Sequence, residues 1–424
     1  MKLVFILLVV FSFAAFAQVE YTAGVNQNAN TPLFSLDLAN YKSNTPNKTK
    51  VDFFIQVPYG GIQFVKRGSD FYAGYNVTLT FMDKDKENIL SERTWKEQVI
   101  VNDFLQTVSK TSFNLSYKTY DLTPGDYFFR CIVEDLDSRK TASREFPFTV
   151  KSIPDSLAIS DLILIAEIKK DSSGETIIPN VSKTVTNKID SLPYFFEVYS
   201  DKERLVHLEY VLDNIKAGTE TKTLDPQNIK AGTTTIYYTL NNLNFKLGDY
   251  SLKVALKDSD WKEISSIEKK FYSKIFGLPT TVVDLDKAAD QLLYIASPEE
   301  IDFIEEAENY NEKLDRFLAF WDKKKPNPRI DENPILYEYY RRIEYATKNF
   351  KGMGEGWRTD MGMIYITFGP PSSVERHPFD SNSRPYEVWD YYELNRSFVF
   401  VDQTGFGDYR LLNPDYSRWP GYRQ

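Results

Sequence analysis

Hydrophobic and polar residues alternate in short runs over the first two thirds of the chain, and then the pattern changes to a helical period. Between Val51 and Lys151 the runs Asp52–Val57, Asn76–Phe81 and Tyr127–Val133 carry apolar side chains at every second position, and turn clusters such as Pro58-Tyr-Gly-Gly61 separate them. Period-2 patterning in short segments broken by turns is what half-buried antiparallel strands require. It predicts an immunoglobulin-like β-sandwich over residues 18–153. A second sandwich is expected over residues 155–276, with strands near Leu162–Ile168, Phe195–Tyr199, Thr234–Leu240 and Tyr250–Leu256, and with Ser152-Ile-Pro154 as the linker.

The second region repeats the first. Gly125-Asp126-Tyr127 followed by Asp135-x-Asp137 recurs as Gly248-Asp249-Tyr250 followed by Asp258-x-Asp260, the first Asp ten positions after the Gly in both copies. Between these marks Tyr127, Phe129, Cys131 and Val133 align with Tyr250, Leu252, Val254 and Leu256. Cys131, the only cysteine, therefore falls on the inward face of a strand and is expected to act as a small hydrophobe. The Gly-Asp-Tyr turn resembles the corner of immunoglobulin-like sandwiches, where a Tyr hydroxyl ties a loop to the backbone. The Asp-x-Asp pairs, with Asp83-x-Asp85, are read as hairpin turns rather than calcium loops, because they lack EF-hand spacing and are diluted by Lys84, Lys86 and Lys257.

Helices are expected after the linker Gly277-Leu-Pro279. Asp286–Ile295 is a short candidate, and Ser297-Pro298-Glu299-Glu300 combines an N-cap, a first-turn Pro and a capping-box Glu at the start of a long helix. Its apolar face is Ile301, Ile304, Ala307, Leu314, Phe317, Leu318 and Trp321, and Lys323-Lys-Lys-Pro326 ends it. Asn333-Pro334 opens a further helix with the stripe Leu336, Tyr339, Tyr340, Ile343, Ala346 and Phe350. Gly352-x-Gly354-x-Gly356 reads as a flexible connector. Four strands then follow, Met363–Phe368, Tyr386–Tyr392, Ser397–Val401 and Asp408–Leu412, as an antiparallel meander covered by the helices. The expected fold class is thus multidomain, with two all-β immunoglobulin-like sandwiches followed by an α+β domain over residues 278–424.

Gly356-Trp357-Arg358-Thr359-Asp360 resembles the motif of the bacterial GWxTD-domain family. Met361–Pro371, Tyr386–Tyr391 and Phe400–Arg410 are similar to that domain's later blocks in order, and Phe320-Trp321 and Tyr339-Tyr-Arg-Arg342 are similar to its helices. The resemblance covers roughly residues 285–415. It implies an exported bacterial protein and a fold, and it brings no reaction, cofactor or ligand. Physically, Thr359-Asp360-Met361-Gly362 suits a tight turn in which Asp accepts backbone N–H groups, with Trp357 anchored in the core.

Residues 1–17 read as a signal peptide: Lys2, the apolar run Leu3–Phe11 and the small-residue pattern Ala15-Phe16-Ala17 predict cleavage before Gln18. Work outside the cytoplasm, in the periplasm or at the surface, is the expectation, with no transmembrane segment after cleavage. A net charge of −9 argues against nucleic acid as partner. Only His207 and His377 are present, so a His/Cys zinc site and a Ser-His-Asp triad are poorly supplied. No metal or cofactor is expected. The candidate site is Asp360, Glu387, Trp389, Asp402 and Asp408, because paired carboxylates beside aromatics are what glycoside hydrolysis requires. Trp321, Trp357 and Trp419 lie in the same part of the chain. Because no coherent catalytic set appears, the expected function is a non-enzymatic binding or assembly protein of the bacterial envelope, with other envelope proteins or glycans as partners. A hydrolase of envelope glycans or peptides using Asp360, Glu387 and Asp402 is the alternative.

Overall fold

The computed structural model describes residues 34–412, apart from 110–111, 172–173, 216–218, 280, 328–332, 353 and 379–383. The signal-peptide reading and Trp419 lie outside the described residues. The chain is mostly β, with several antiparallel sheets and a few helices. It divides into two compact units. The first contains Ile55–Tyr117 and Gly125–Thr149; the second contains Leu36–Phe54, Lys118–Pro124 and everything from Val150 onward. Among the described residues no helix is long and apolar enough to cross a membrane.

In the first unit, Asp70–Asp83 is the central strand, pairing antiparallel with Ile89–Val101 and with Gly125–Asp135. Alternation along Gly125–Asp135 buries Phe129, Cys131 and Val133 completely, as the period-2 pattern predicts. Cys131 sits opposite Leu79, and burial pushes its thiol up to about 12, so it is inert packing. Asp135 accepts from Gln63 N, Asp137 N and Ser138 Oγ. Asp83 accepts from Glu87 N and Asn88 N. These carboxylates organise turns.

In the second unit, two sheets face each other as a sandwich. One runs Gly174–Pro179, Ile163–Asp171, Leu192–Ser200, Gly232–Leu240; the other runs Thr184–Thr186, Glu263–Lys274, Gly248–Lys257, Arg204–Asn214, Thr219–Ile229. Tyr210 of the second sheet stacks on Tyr238 of the first at 4.2 Å and meets Tyr194 edge-on at 5.8 Å. The corner tyrosine behaves as expected in this copy: Lys246 N donates to the Tyr250 hydroxyl at 2.9 Å. In the first copy Tyr127 is half-buried and its ring stacks on Phe129.

Strand Ser35–Lys42 is fastened to this sandwich by polar groups. Buried Asp37 receives Lys269 Nζ at 2.6 Å and faces Lys183 Nζ at 3.6 Å. Asn40 donates to Asp161 from both its backbone and its side-chain nitrogen, and Lys42 N donates to the Tyr199 hydroxyl.

The C-terminal helices are capped as their sequence dictates. Asp284 caps Leu285–Asp290, Ser297 with Glu300 forms the capping box of Pro298–Glu305, and Asn333 caps Pro334–Asn349. The single long helix expected from Pro298 is two. Asn309 accepts from Glu312 N and starts a new helix, Tyr310–Lys323, so the apolar stripe is shared between two rods. The expected strand Met363–Phe368 is also corrected, because Asp360–Phe368 is a helix. It is buried on every side from Asp360 to Ile366, and a helix without a polar face shows no 3.6-residue period to read. The meander instead begins with Ser373–His377 and continues through Tyr386–Tyr391, Arg396–Asp402 and Tyr409–Leu411, each strand paired antiparallel with the next.

Replacing Asp37 by Ala leaves two nearly buried ammonium groups without their carboxylate and is expected to cost about 3–5 kcal/mol. Tyr250→Phe deletes one neutral hydrogen bond and is expected to cost about 1 kcal/mol. Urea denaturation of the full chain followed by far-UV circular dichroism gives both values. Equal losses in the two variants would contradict the assignment of Asp37 as a charged anchor.

Candidate functional site

The segment Gly356–Asp360 is a short 3-10 turn followed at once by a helix. Gly356 has no room for a side chain: a Cβ there would lie 2.3 Å from Ala346 O and 2.4 Å from Phe350 O, the carbonyls at the end of helix Pro334–Asn349. Gly362 is equally tight, its Cβ position falling 2.3 Å from Gly356 O. A Cβ on Gly352 would strike the Thr359 side chain, with Cγ2 at 2.8 Å, whereas Gly354, at φ +136°, has nothing within 4 Å. Backbone packs directly on backbone at Gly356 and Gly362.

Each remaining motif residue has one job. Trp357 is fully buried, meets Tyr294 edge-on at 6.2 Å and donates Nε1–H to Glu355 Oε2. Arg358 lies over the Trp357 ring at 4.3 Å and pairs with Asp290 at 3.1 Å. Thr359 is the helix N-cap: its Oγ1 accepts from Gly362 N at 3.0 Å and donates to Gly356 O at 2.7 Å. The tight turn expected at Thr359–Gly362 is therefore the first turn of a helix. Asp360 does accept a backbone N–H, but from Leu411, 51 residues away, at 2.8 Å.

The other candidate residues are spread over the meander, Glu387 and Trp389 on Tyr386–Tyr391, Asp402 at the end of Arg396–Asp402 and Asp408 just ahead of Tyr409–Leu411, and every carboxylate among them is engaged. Asp408 precedes Tyr409 and takes both Nε and Nη2 of Arg410. Asp402 is paired in register with Tyr409. Glu387 accepts from Arg376 Nε at 3.0 Å and from Trp389 Nε1 at 3.1 Å. Burial first, and then the charges of Glu387 and Asp402, raise the Tyr409 hydroxyl above its ordinary value. Trp389 is buried between Phe350 and Phe400 at 5.5 and 4.9 Å. With Trp321 and Trp357 buried too, none of these three indoles is a platform for a ligand. Among the described residues no three His, Cys, Asp or Glu side chains converge as a metal ion needs.

Asp402 shapes a loop. One carboxylate oxygen accepts from Thr404 N, Thr404 Oγ1 and Gly405 N at 3.1, 3.1 and 2.9 Å, and the other accepts from Gly407 N at 2.8 Å. Burial alone would raise this carboxyl, but the bonds from Gly407, Gly405 and Thr404 outweigh it and hold it below the usual carboxylate range. The loop it fixes exposes 94% of Phe406, between two glycines at φ +76° and +89°. Neither Phe406 nor Arg342 is legible as functional from periodicity. Arg342 donates from Nη1 to Ile366 O and Thr367 O, closing the C-terminus of helix Asp360–Phe368. The doublet Arg341-Arg342, three and four residues after Glu338, is its trace in the sequence.

Gly362→Ala forces two backbones apart and is expected to lower stability by about 3 kcal/mol; thermal melting of the full chain reads it. The Asp402 carboxyl has a native pKa below its unfolded value. Its stabilisation is therefore complete above the unfolded pKa of about 3.9 and is lost as pH falls through the native one. Melting temperatures between about pH 6 and pH 2 are expected to decline less steeply in Asp402→Asn than in the wild type.

No curated protein matches the sequence. Among solved structures, red sea bream transglutaminase is 11% identical over 57% of this chain and 31% of that one, with a TM-score of 0.17. A Bacteroides uniformis beta-glucuronidase 2 covalently bound to cyclophellitol-6-carboxylate aziridine is 10% identical over 53% and 26%, with a TM-score of 0.21. The chain thus spans about a third or less of the length of these proteins, and likeness at that level transfers no activity. Residues 262–412 match the GWxTD domain family. The match begins upstream of the helices, beside the last sandwich strand, and this agrees with the packing, because the C-terminal core includes Leu247 and Ile275. The C-terminal part of this chain, built around Gly356–Asp360, is a GWxTD domain.

Proposed function

We propose that the chain is an exported, non-enzymatic binding or assembly protein of the bacterial envelope, and that its GWxTD domain holds a partner protein through Phe406. The observation that carries this reading is the way Phe406 is displayed. An aromatic ring at the tip of a loop costs exposure to water, and the loop's backbone is already ordered by four hydrogen bonds to Asp402. Pre-ordering removes an entropy loss that binding would otherwise incur, and aromatic anchors dominate interface energy. The reading of two sandwiches at residues 18–153 and 155–276 as spacers or docking modules goes with it, as does export by residues 1–17.

The hydrolase alternative finds little support. An acid–base pair needs one carboxyl that keeps its proton near neutrality, whereas Asp402 is held in the charged form and Glu387, Asp360 and Asp408 are committed to Arg376, Leu411 N and Arg410. The acids serve the fold that displays the loop.

A photoactivatable benzoylphenylalanine placed at position 406 of the full chain, in cells that make the protein naturally, is expected to give a discrete protein adduct on irradiation. The same group at Tyr237, exposed on the sandwich, serves as control. Adducts of equal yield at both positions, or none at 406, would overturn the role of Phe406.

A further inference from the structure

The outward face of the second sandwich carries an aromatic feature that the Phe406 loop does not use. Along strand Arg204–Asn214, Val206, Leu208 and Tyr210 are fully buried, so His207, between them, points away from the core. His207 is paired with Lys257 on one side and with Pro226 on the other. The turn after Lys257 folds Trp261 back over it. The two rings lie nearly parallel, 4.0 Å apart at 11°. Trp261 is nevertheless 52% exposed, so much of the residue stays open to solvent although the imidazole is stacked on it.

This placement is maintained against the local backbone preference. Trp261 has φ +65°, and among the described residues the other six non-glycine residues of positive φ are Asn, Lys or Arg. A left-handed conformation is disfavoured for a bulky residue, and leaving an indole in water adds to the cost. Such strain persists where the surroundings hold it, and it concentrates at functional positions. Here Asp258 holds it, accepting from Asp260 N at 2.9 Å and from Lys262 N at 3.0 Å. Ser259, Asp260 and Lys262, its neighbours in the turn, are exposed polar residues.

We propose that Trp261, clamped by His207, is a stacking platform for a pyranose ring of a neutral glycan. The partly positive C–H face of a sugar matches the negative face of an indole, and the hydroxyl rim of the sugar meets a carboxylate, a hydroxyl and an ammonium in the same turn. Glu209 pairs with both Lys257 and Lys222, at 2.5 and 3.0 Å, and the turn adds Asp258, Asp260 and Lys262, so three lysines meet three acids and the surface has no cationic excess to recruit a polyanion. The site stands on the sandwich and does not depend on the partner role of Phe406.

The test is affinity electrophoresis of the full chain in native gels containing soluble β-glucan, xylan or mannan, each against a gel without polysaccharide. At least one polysaccharide is expected to retard the wild type. Trp261→Ala is expected to weaken retention by roughly tenfold or more, and Trp261→Tyr to keep part of it. Trp261→Asn suits the left-handed turn, so it should melt at or above the wild-type temperature and still lose retention, which separates binding from folding. Phe406→Ala should migrate as the wild type does. Retention unchanged in Trp261→Asn, migration of the wild type unaffected by all three polysaccharides, or displacement by a proline-rich peptide but by no sugar would each overturn the proposal.

Discussion

Two peptide backbones in the C-terminal domain approach so closely that no Cβ fits between them, and the rest of that domain is arranged around this contact. Gly356 lies on the carbonyls that end helix Pro334–Asn349, and Gly362 lies on Gly356. With the chain held there, Trp357 drops into the core, Thr359 falls at the cap of the next helix and Asp360 points at the last strand. The motif is therefore a joint of three elements, and its five residue types follow from what a joint needs: no side chain, a large apolar plug, a cation over that plug, a cap and a charged acceptor.

The core built on this joint is rich in tyrosine, which brings polar atoms where water is absent. Four hydroxyls are resolved in the same way, each donating to a backbone carbonyl: Tyr294 to Trp357, Tyr339 to Gln291, Tyr340 to Ala288 and Tyr391 to Gly369. A buried hydroxyl without a partner costs on the order of 1–3 kcal/mol, so each of these bonds fixes where a neighbouring segment ends. Polar satisfaction and geometry are thus one requirement, and the aromatic content supplies connections as well as burial. The acids work alike. Glu387, Asp402 and Asp408 of the meander and Asp360 of the buried helix supply acceptors for indole, guanidinium and backbone N–H groups.

Much of this was legible beforehand. The period-2 runs locate the strands around Asp52–Val57, Asn76–Phe81 and Tyr127–Val133, and the caps at Ser297 and Asn333 mark true helix starts. The failures share a cause. Helix Asp360–Phe368 is buried all round, so its apolar run has the look of a strand, and only Thr359 ahead of it gave the helical signal. The break at Asn309 hides because the apolar stripe continues across it. The carboxylates stand out in the sequence, but composition cannot tell an acid that meets substrate from one that shapes a loop. Phe406 and Trp261 carry no pattern at all, since an exposed aromatic differs from a buried one only in three dimensions.

The bond from Leu411 N to Asp360 joins residues made far apart in time on the ribosome. When the helix beginning at Asp360 has just been synthesised, the strand whose N–H its carboxylate accepts is still to come. Helix and strand are thus joined across 51 residues, and this bond can form only once Leu411 has left the ribosome.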